Sequence, residues 1–323
     1  MGDLGELRVK KTLEVMDKTD LALMVIEAGT EDLALEKSWY KVLASRNIPT
    51  LGVVNKIDAG EGLAEDWPGP LVEVSALEGK NIGKLKELIN THAPIDFEPP
   101  TLVGDIISPG DLVVLVTPQD LQAPKHRLIL PQVQVLRNIL DHHGIAMMTK
   151  EDELGTLLKT LHRRPDLVIV DSQIFHKVRD MVAQDVPLTS FSILMARFKG
   201  ELATLVEGAR VLDELKPGDK VLIAEACTHH PLEEDIGRVK LPRLLERMAG
   251  GRLDIQVLSG ADFPEDLKGF RVILHCGACM FNRKQMMTRI LRALDQKVAI
   301  TNYGLAFAQG QGILDRATRM FGL

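Results

Sequence analysis

Val272-Ile273-Leu274-His275-Cys276-Gly277-Ala278-Cys279 reads as a short buried strand running straight into a cysteine turn. An apolar run of this length, a turn, and a helix expected to start near Asn282 form one step of an alternating α/β pattern. Upstream, Val221-Leu222-Ile223-Ala224 is a second such run, and Cys227-Thr228-His229-His230 lies just past its end. In an open parallel sheet, ligands collect in the crevice beyond the carboxyl ends of the strands. The two clusters are therefore expected on one sheet edge, although a long stretch of chain separates them.

The same alternation continues outward in both directions. In this last part strands are expected over 220–224, 254–258, 271–274 and 298–301, with helices between them. Near the start, strands over 21–26, 50–54 and 71–74 alternate with helices over 7–17, 33–46 and 82–90. In the middle, strands over 112–116 and 167–170 flank a helix near 131–142, which His142-His143-Gly144 would cap. Strands separated by helices imply βαβ units and mostly parallel sheets. The proline-bearing stretch 93–100 and Pro187 mark two boundaries. The expectation is three consecutive α/β domains, over 1–94, 95–186 and 187–323, with no repeat at a fixed period.

Composition removes several function classes. Among 323 residues, 45% are apolar and 26% charged, as in ordinary soluble proteins. A net charge of −6 gives no general nucleic-acid footprint. No apolar run approaches the roughly 20 residues of a membrane span, and Met1-Gly2-Asp3-Leu4-Gly5-Glu6 has no signal-peptide pattern. Three clustered cysteines argue against a disulfide framework and point to a reducing cytoplasm.

All three cysteines lie in the pattern C-x-H, then H-C-x-x-C. Three soft thiolates with imidazoles beside them suit an iron–sulfur cluster or zinc, and C-x-x-C spacing serves both metals. In a cubane, three cysteines leave one iron without a thiolate. That corner falls to His229, His230, His275, a carboxylate, water or an incoming molecule. An open corner suits handling or passing on a cofactor. The amino end of the helix near Asn282, with Arg283 and Lys284 in its first turn, would favour thiolate over thiol. Lys240, Arg243, Arg247, Arg283, Lys284 and Arg289 are expected on a solvated face around the site.

Asn55-Lys56-Ile57-Asp58 directly follows a strand, and Ser75-Ala76 follows the next one. Together these are the two guanine-reading motifs of GTPases, the Asp58 carboxylate accepting from the base. The phosphate-handling half, G-x-x-x-x-G-K-[ST], does not occur, and no D-x-x-G stands ahead of Asn55 where the magnesium motif would lie. GTP hydrolysis is therefore expected to be absent or negligible.

The C-x-H…H-C-x-x-C pattern resembles that of the HydF family, the [FeFe]-hydrogenase maturation GTPases. The resemblance extends to the opening stretch 2–12, to the central Leu121-Gln122-Ala123-Pro124-Lys125-His126-Arg127 and the residues after it, and to Thr301-Asn302-Tyr303-Gly304. It implies a GTPase domain, a dimerisation domain and a carboxyl-terminal [4Fe–4S] domain. Cys227, Cys276 and Cys279 match the family's cluster cysteines, and His229 and His275 its motif histidines. It also implies a homodimer that takes a di-iron precursor, made with radical-SAM maturases, and hands it to apo-[FeFe]-hydrogenase. In the family, stretch 2–12 follows D-T-A-G, so Met1 reads as an internal or mis-assigned start. The first sheet should then lack its phosphate-loop strand and leave an apolar edge open. Other readings of the same residues are a regulatory GTPase-like protein with structural zinc and an iron–sulfur electron-transfer protein.

Overall fold

Strand–helix alternation produces three parallel sheets in a computed structural model of the chain. The structure describes residues 3–60, 62–63, 66–93, 101–118, 128–226, 236–260 and 262–323, and the backbone alone for 3–8 and 10. The chain divides into two compact units, Met1–Pro99 and Pro100–Leu323. That division lies within the proline-bearing linker, five residues beyond the expected position 94.

In the first unit β1 (Ala22–Glu27), β2 (Thr50–Asn55) and β3 (Leu71–Glu73) form a parallel sheet in the order β1-β2-β3. Central β2 is buried from Thr50 to Val54, with Leu51, Val53 and Val54 in its apolar middle. β1 is an edge strand, and Leu23 and Val25 on it are 42% and 62% exposed. Among the described residues no strand pairs with the outer side of β1, in line with the expected open apolar edge.

In the second unit β4 (Leu112–Val116), β5 (Ile145–Thr149), β6 (Leu167–Val170) and β7 (Leu188–Ser190) pair in the order β5-β4-β6-β7. β8 (Lys220–Glu225), β9 (Asp254–Ser259), β10 (Val272–His275) and β11 (Ala299–Asn302) pair in the order β11-β10-β8-β9. Both sheets are built the same way. A first strand is flanked by the second on one side, and the chain then crosses to its other side for the third and fourth. The sequence carries no repeat that announces this likeness. The two sheets also share one hydrophobic cluster, in which Val114 and Val168 join Ile273 and Ile300.

β7 pairs with β6, so residues 188–190 complete the middle sheet and do not open the next domain. Pro187 sits just before the edge strand, where a missing N–H is tolerated, and its carbonyl accepts from Val168 N. Ser190 then caps the Phe191–Lys199 helix, its Oγ accepting from Ile193 N. Asn302 ties this helix to the last sheet. Its amide donates to Ser192 O, while its Oδ1 accepts from Leu305 N and caps the Tyr303–Gly310 helix. His142 ends the Leu130–Asp141 helix as expected, but the left-handed residue is His143, at φ 60°, and not Gly144. Among the described residues no helix is long and apolar enough to cross a membrane.

Candidate functional site

The strand order of the last sheet switches sides between β8 and β10, which places its ligand crevice between those two carboxyl ends. The strands are level there, Ala224 pairing with His275, and Cys276 N donates to Ala224 O at 3.0 Å. Ala226 N donates to Cys276 Sγ at 3.0 Å. An N–H aimed at sulfur favours the thiolate. Cys276 and Cys279 are half-buried and neither is in a disulfide. The residue following Ala226 is Cys227, which with His229 and His230 lies outside the described residues. Among the described residues no three His, Cys, Asp or Glu side chains come together as a metal site.

The cysteine turn is held tightly. Ala278 has φ +51°, a left-handed conformation that costs an L-residue on the order of 1 kcal/mol, and its carbonyl accepts from Phe281 N. Asn282 and Gln285 then exchange hydrogen bonds in a capping box that starts the Arg283–Asp295 helix. Lys199, only 7% exposed, reaches the turn from the Phe191–Lys199 helix. Its Nζ donates to Ala278 O at 2.7 Å, Cys279 O at 2.9 Å and Phe281 O at 2.8 Å. Burial pushes the lysine pKa down, while the charges of Cys279 and Cys276 hold it up. A buried ammonium facing two thiols fits a sulfur-ligated anionic group, because each charge lowers the desolvation cost of the other. Sequence reasoning missed Lys199. A lysine before glycine at a helix end reads as a solvated cation favoured by the dipole, and nothing local marks it as buried.

His275 is wholly buried at the end of β10. Arg289 Nη1 donates to its Nε2 at 2.9 Å, so its Nδ1–H donates to Cys276 O, also at 2.9 Å. Burial, with the Arg289 charge second, pushes the imidazole pKa down to about 3 and keeps it neutral. Both ring nitrogens are thus committed, and His275 presents no lone pair to the thiols as a metal ligand would. Arg289 lies over the rings of Phe281 and Phe263, 4.5 and 4.8 Å from their centroids. Arg283 Nη1 donates to Gly200 O at 2.7 Å. These two arginines, expected on a solvated face, turn inward because carbonyls and rings of the crevice accept them. Replacing His275 by alanine is therefore expected to destabilise the metal-free protein by about 1–3 kcal/mol, the cost of buried groups left unpaired. Denaturant unfolding of the apo variant checks this, since a residue acting only as a ligand would leave apo stability unchanged.

In the first unit the guanine-reading motifs come together. Asp58 accepts from Ser75 Oγ, and Asn55 Oδ1 accepts from Ala76 N at 3.0 Å. Buried Ser75 thereby fixes the exposed Asp58 carboxylate at the mouth of the loop. Lys56 sits at φ +68° with its Nζ on Glu27 Oε1 at 2.9 Å.

Two family models match within the second unit. The hydrogen maturase F dimerization domain matches residues 102–200, and the hydrogen maturase F tetramerization domain matches residues 203–320. The chain belongs to the hydrogen maturase F family. The first match includes β7 and the Phe191–Lys199 helix, in agreement with the sheet order. The chain is also similar to GTPase Era of Clostridium botulinum, at 29% identity over 47% of this chain and 52% of that protein. GTPase Era of Geotalea daltonii is 30% identical over 32% of this chain and 38% of its own length. The chain thus spans about half the length, or less, of these curated relatives. These matches fit a GTPase-like part beside the two hydrogen maturase F regions.

Proposed function

We propose that this hydrogen maturase F chain acts in hydrogenase maturation as a scaffold that holds a [4Fe–4S] cluster and passes a di-iron precursor to apo-[FeFe]-hydrogenase. The observation that carries the reading is the pairing of Ala226 N with Cys276 Sγ at the β8/β10 crevice. It brings the chain to the cysteine turn one residue before Cys227. Cys227, Cys276 and Cys279 would hold the cluster. The Ala226 N–H orients the Cys276 sulfur and favours its thiolate, and His275 holds the Cys276 carbonyl from behind. When bound, the cluster supplies an iron with a position open to an exogenous ligand. With its ring nitrogens engaged, His275 acts as a support for the turn; His229, His230, a carboxylate and an exogenous ligand remain candidates for the fourth position.

Asn55, Lys56, Asp58, Ser75 and Ala76 would read a guanine base. With no phosphate cradle in the sequence, hydrolysis is not assigned to this chain. Self-association is supported by the dimerization and tetramerization domains. Leu130, Val133 and Leu140, all exposed on one helix, and exposed Ile145 and Met148 on edge strand β5 suit a homodimer face. The radical-SAM maturases are the proposed source of the precursor, and the cytoplasm the proposed compartment.

The decisive experiment is maturation of apo-hydrogenase by the reconstituted chain loaded with a synthetic di-iron complex. Hydrogen evolution dependent on the chain is expected. A folded, cluster-bearing sample that transfers nothing would overturn the carrier role, and stoichiometric zinc in its place would overturn the cluster.

A further inference from the structure

We propose that Lys199 is the positioning residue of the cluster site, clamping the cysteine turn and supplying a fixed positive charge beside its sulfurs. The inference rests on the cluster reading above for its electrostatic part and on geometry alone for the clamp. An ammonium has three N–H donors and no acceptor. Here every one is spent on the carbonyls of Ala278, Cys279 and Phe281, within the turn that presents Cys276 and Cys279. No ordinary surface lysine is ordered in this way. A cavity of about 10 Å³ touches both the lysine and the turn, with Met195, Leu205 and Met286 in its walls. It is at the lower limit for a single water, so the carbonyls serve as the ammonium's solvent. The left-handed backbone at Ala278 persists because this contact holds its carbonyl.

The clamp is reciprocal. Lys199 reaches from the region matched by the dimerization domain to the turn in the region matched by the tetramerization domain. Arg283, at the start of the helix leaving that turn, reaches back to Gly200 O and, at 3.3 Å, to Phe198 O, which end the lysine's own helix. The end of the lysine's helix is thus closed by Arg283 from the other region, and the cysteine turn by Lys199 from this one. A shift of the Phe191–Lys199 helix would be felt directly by the carbonyls on either side of Cys279.

The charge has a second consequence. A thiolate-ligated cluster is anionic and becomes more so on reduction, and its potential follows nearby charge and hydrogen bonding. A buried positive charge favours the reduced state.

The test compares Lys199→Met, Lys199→Gln and Lys199→Arg with the unaltered full-length chain. In the metal-free proteins, amide hydrogen exchange over 276–281 should quicken about tenfold or more in Lys199→Met and Lys199→Gln, with β4 and β6 unchanged. In reconstituted samples the same variants should lose iron to a chelator about tenfold faster, as is usual when a metal-supporting contact is removed. Their reduction potential should move negative, and Lys199→Arg should recover most of that shift. A merely structural lysine would leave the potential of folded, loaded variants unchanged, and that result would overturn the electrostatic role. Unchanged exchange over 276–281 would overturn the clamp. If Lys199→Met does not fold, Lys199→Gln decides both points. If the unaltered chain takes up no cluster, the functional reading fails while the exchange experiment still decides the clamp.

Discussion

Serine at Cys276 or Cys279 is expected to empty the reconstituted protein of its cluster. Iron and sulfide should fall from about four each per chain in the unaltered protein to near zero, with the visible absorption lost. A serine oxygen is a harder, more basic donor and replaces thiolate poorly on iron. At position 276 the substitution also removes the sulfur that accepts the Ala226 N–H. The fold should survive, because both cysteines are only half-buried and the turn is held by backbone contacts from Lys199 and Asn282. Circular dichroism should therefore show an unchanged spectrum beside the lost metal. Serine at Cys227 is expected to give the same loss. Retention of full iron by any of the three variants would remove that cysteine from the ligand set.

A large stability effect is expected at Gly208. The Leu202–Arg210 helix packs on β11 so closely that a Cβ at this position would lie 1.9 Å from Ile300 O. That oxygen belongs to a strand in the buried sheet and has nowhere to move, so the helix must lift away from Ile300 and Thr301. Alanine would gain about 1 kcal/mol of helix propensity over glycine. Separating a close-packed helix from its sheet costs more, on the scale of core overpacking at about 1–3 kcal/mol and above. Gly208→Ala is thus expected to destabilise by about 2 kcal/mol net, read as a lower denaturant midpoint at unchanged slope. Gly155→Ala is the matched control. Its added Cβ meets nothing within 4 Å in the Leu154–Thr160 helix, so it should be neutral or slightly stabilising. A Gly208→Ala protein as stable as that control would show that the close approach does not exist in solution.

The strands of the last sheet were legible almost residue by residue. Apolar runs such as 221–224 and 272–274 can be satisfied only by burial on both faces, and in this alternating pattern that means a parallel α/β sheet. The arrival of the chain at Ala226 beside Cys276, past the carboxyl ends of β8 and β10, followed from the same pattern. The pairing of Asn55 and Asp58 with the Ser75-Ala76 loop was legible too, because each motif sits directly past a strand end. Pro187 shows what the sequence could not separate: a proline that reads as a linker can equally stand just before an edge strand, and only the pairing of β7 with β6 shows that strand.

Sequence alone determined which atoms are available for chemistry: three thiols, their neighbouring histidines and a pair of base-reading loops, each set by local spacing. Tertiary structure decided how those atoms are used. His275 looked like a ligand by adjacency, but a strand position with Arg289 beside it commits both ring nitrogens. Lys199 looked like a surface cation, but a helix from the middle sheet carries it into the cysteine turn. Contacts between residues far apart in the chain arise from packing, and packing has no local spacing to read.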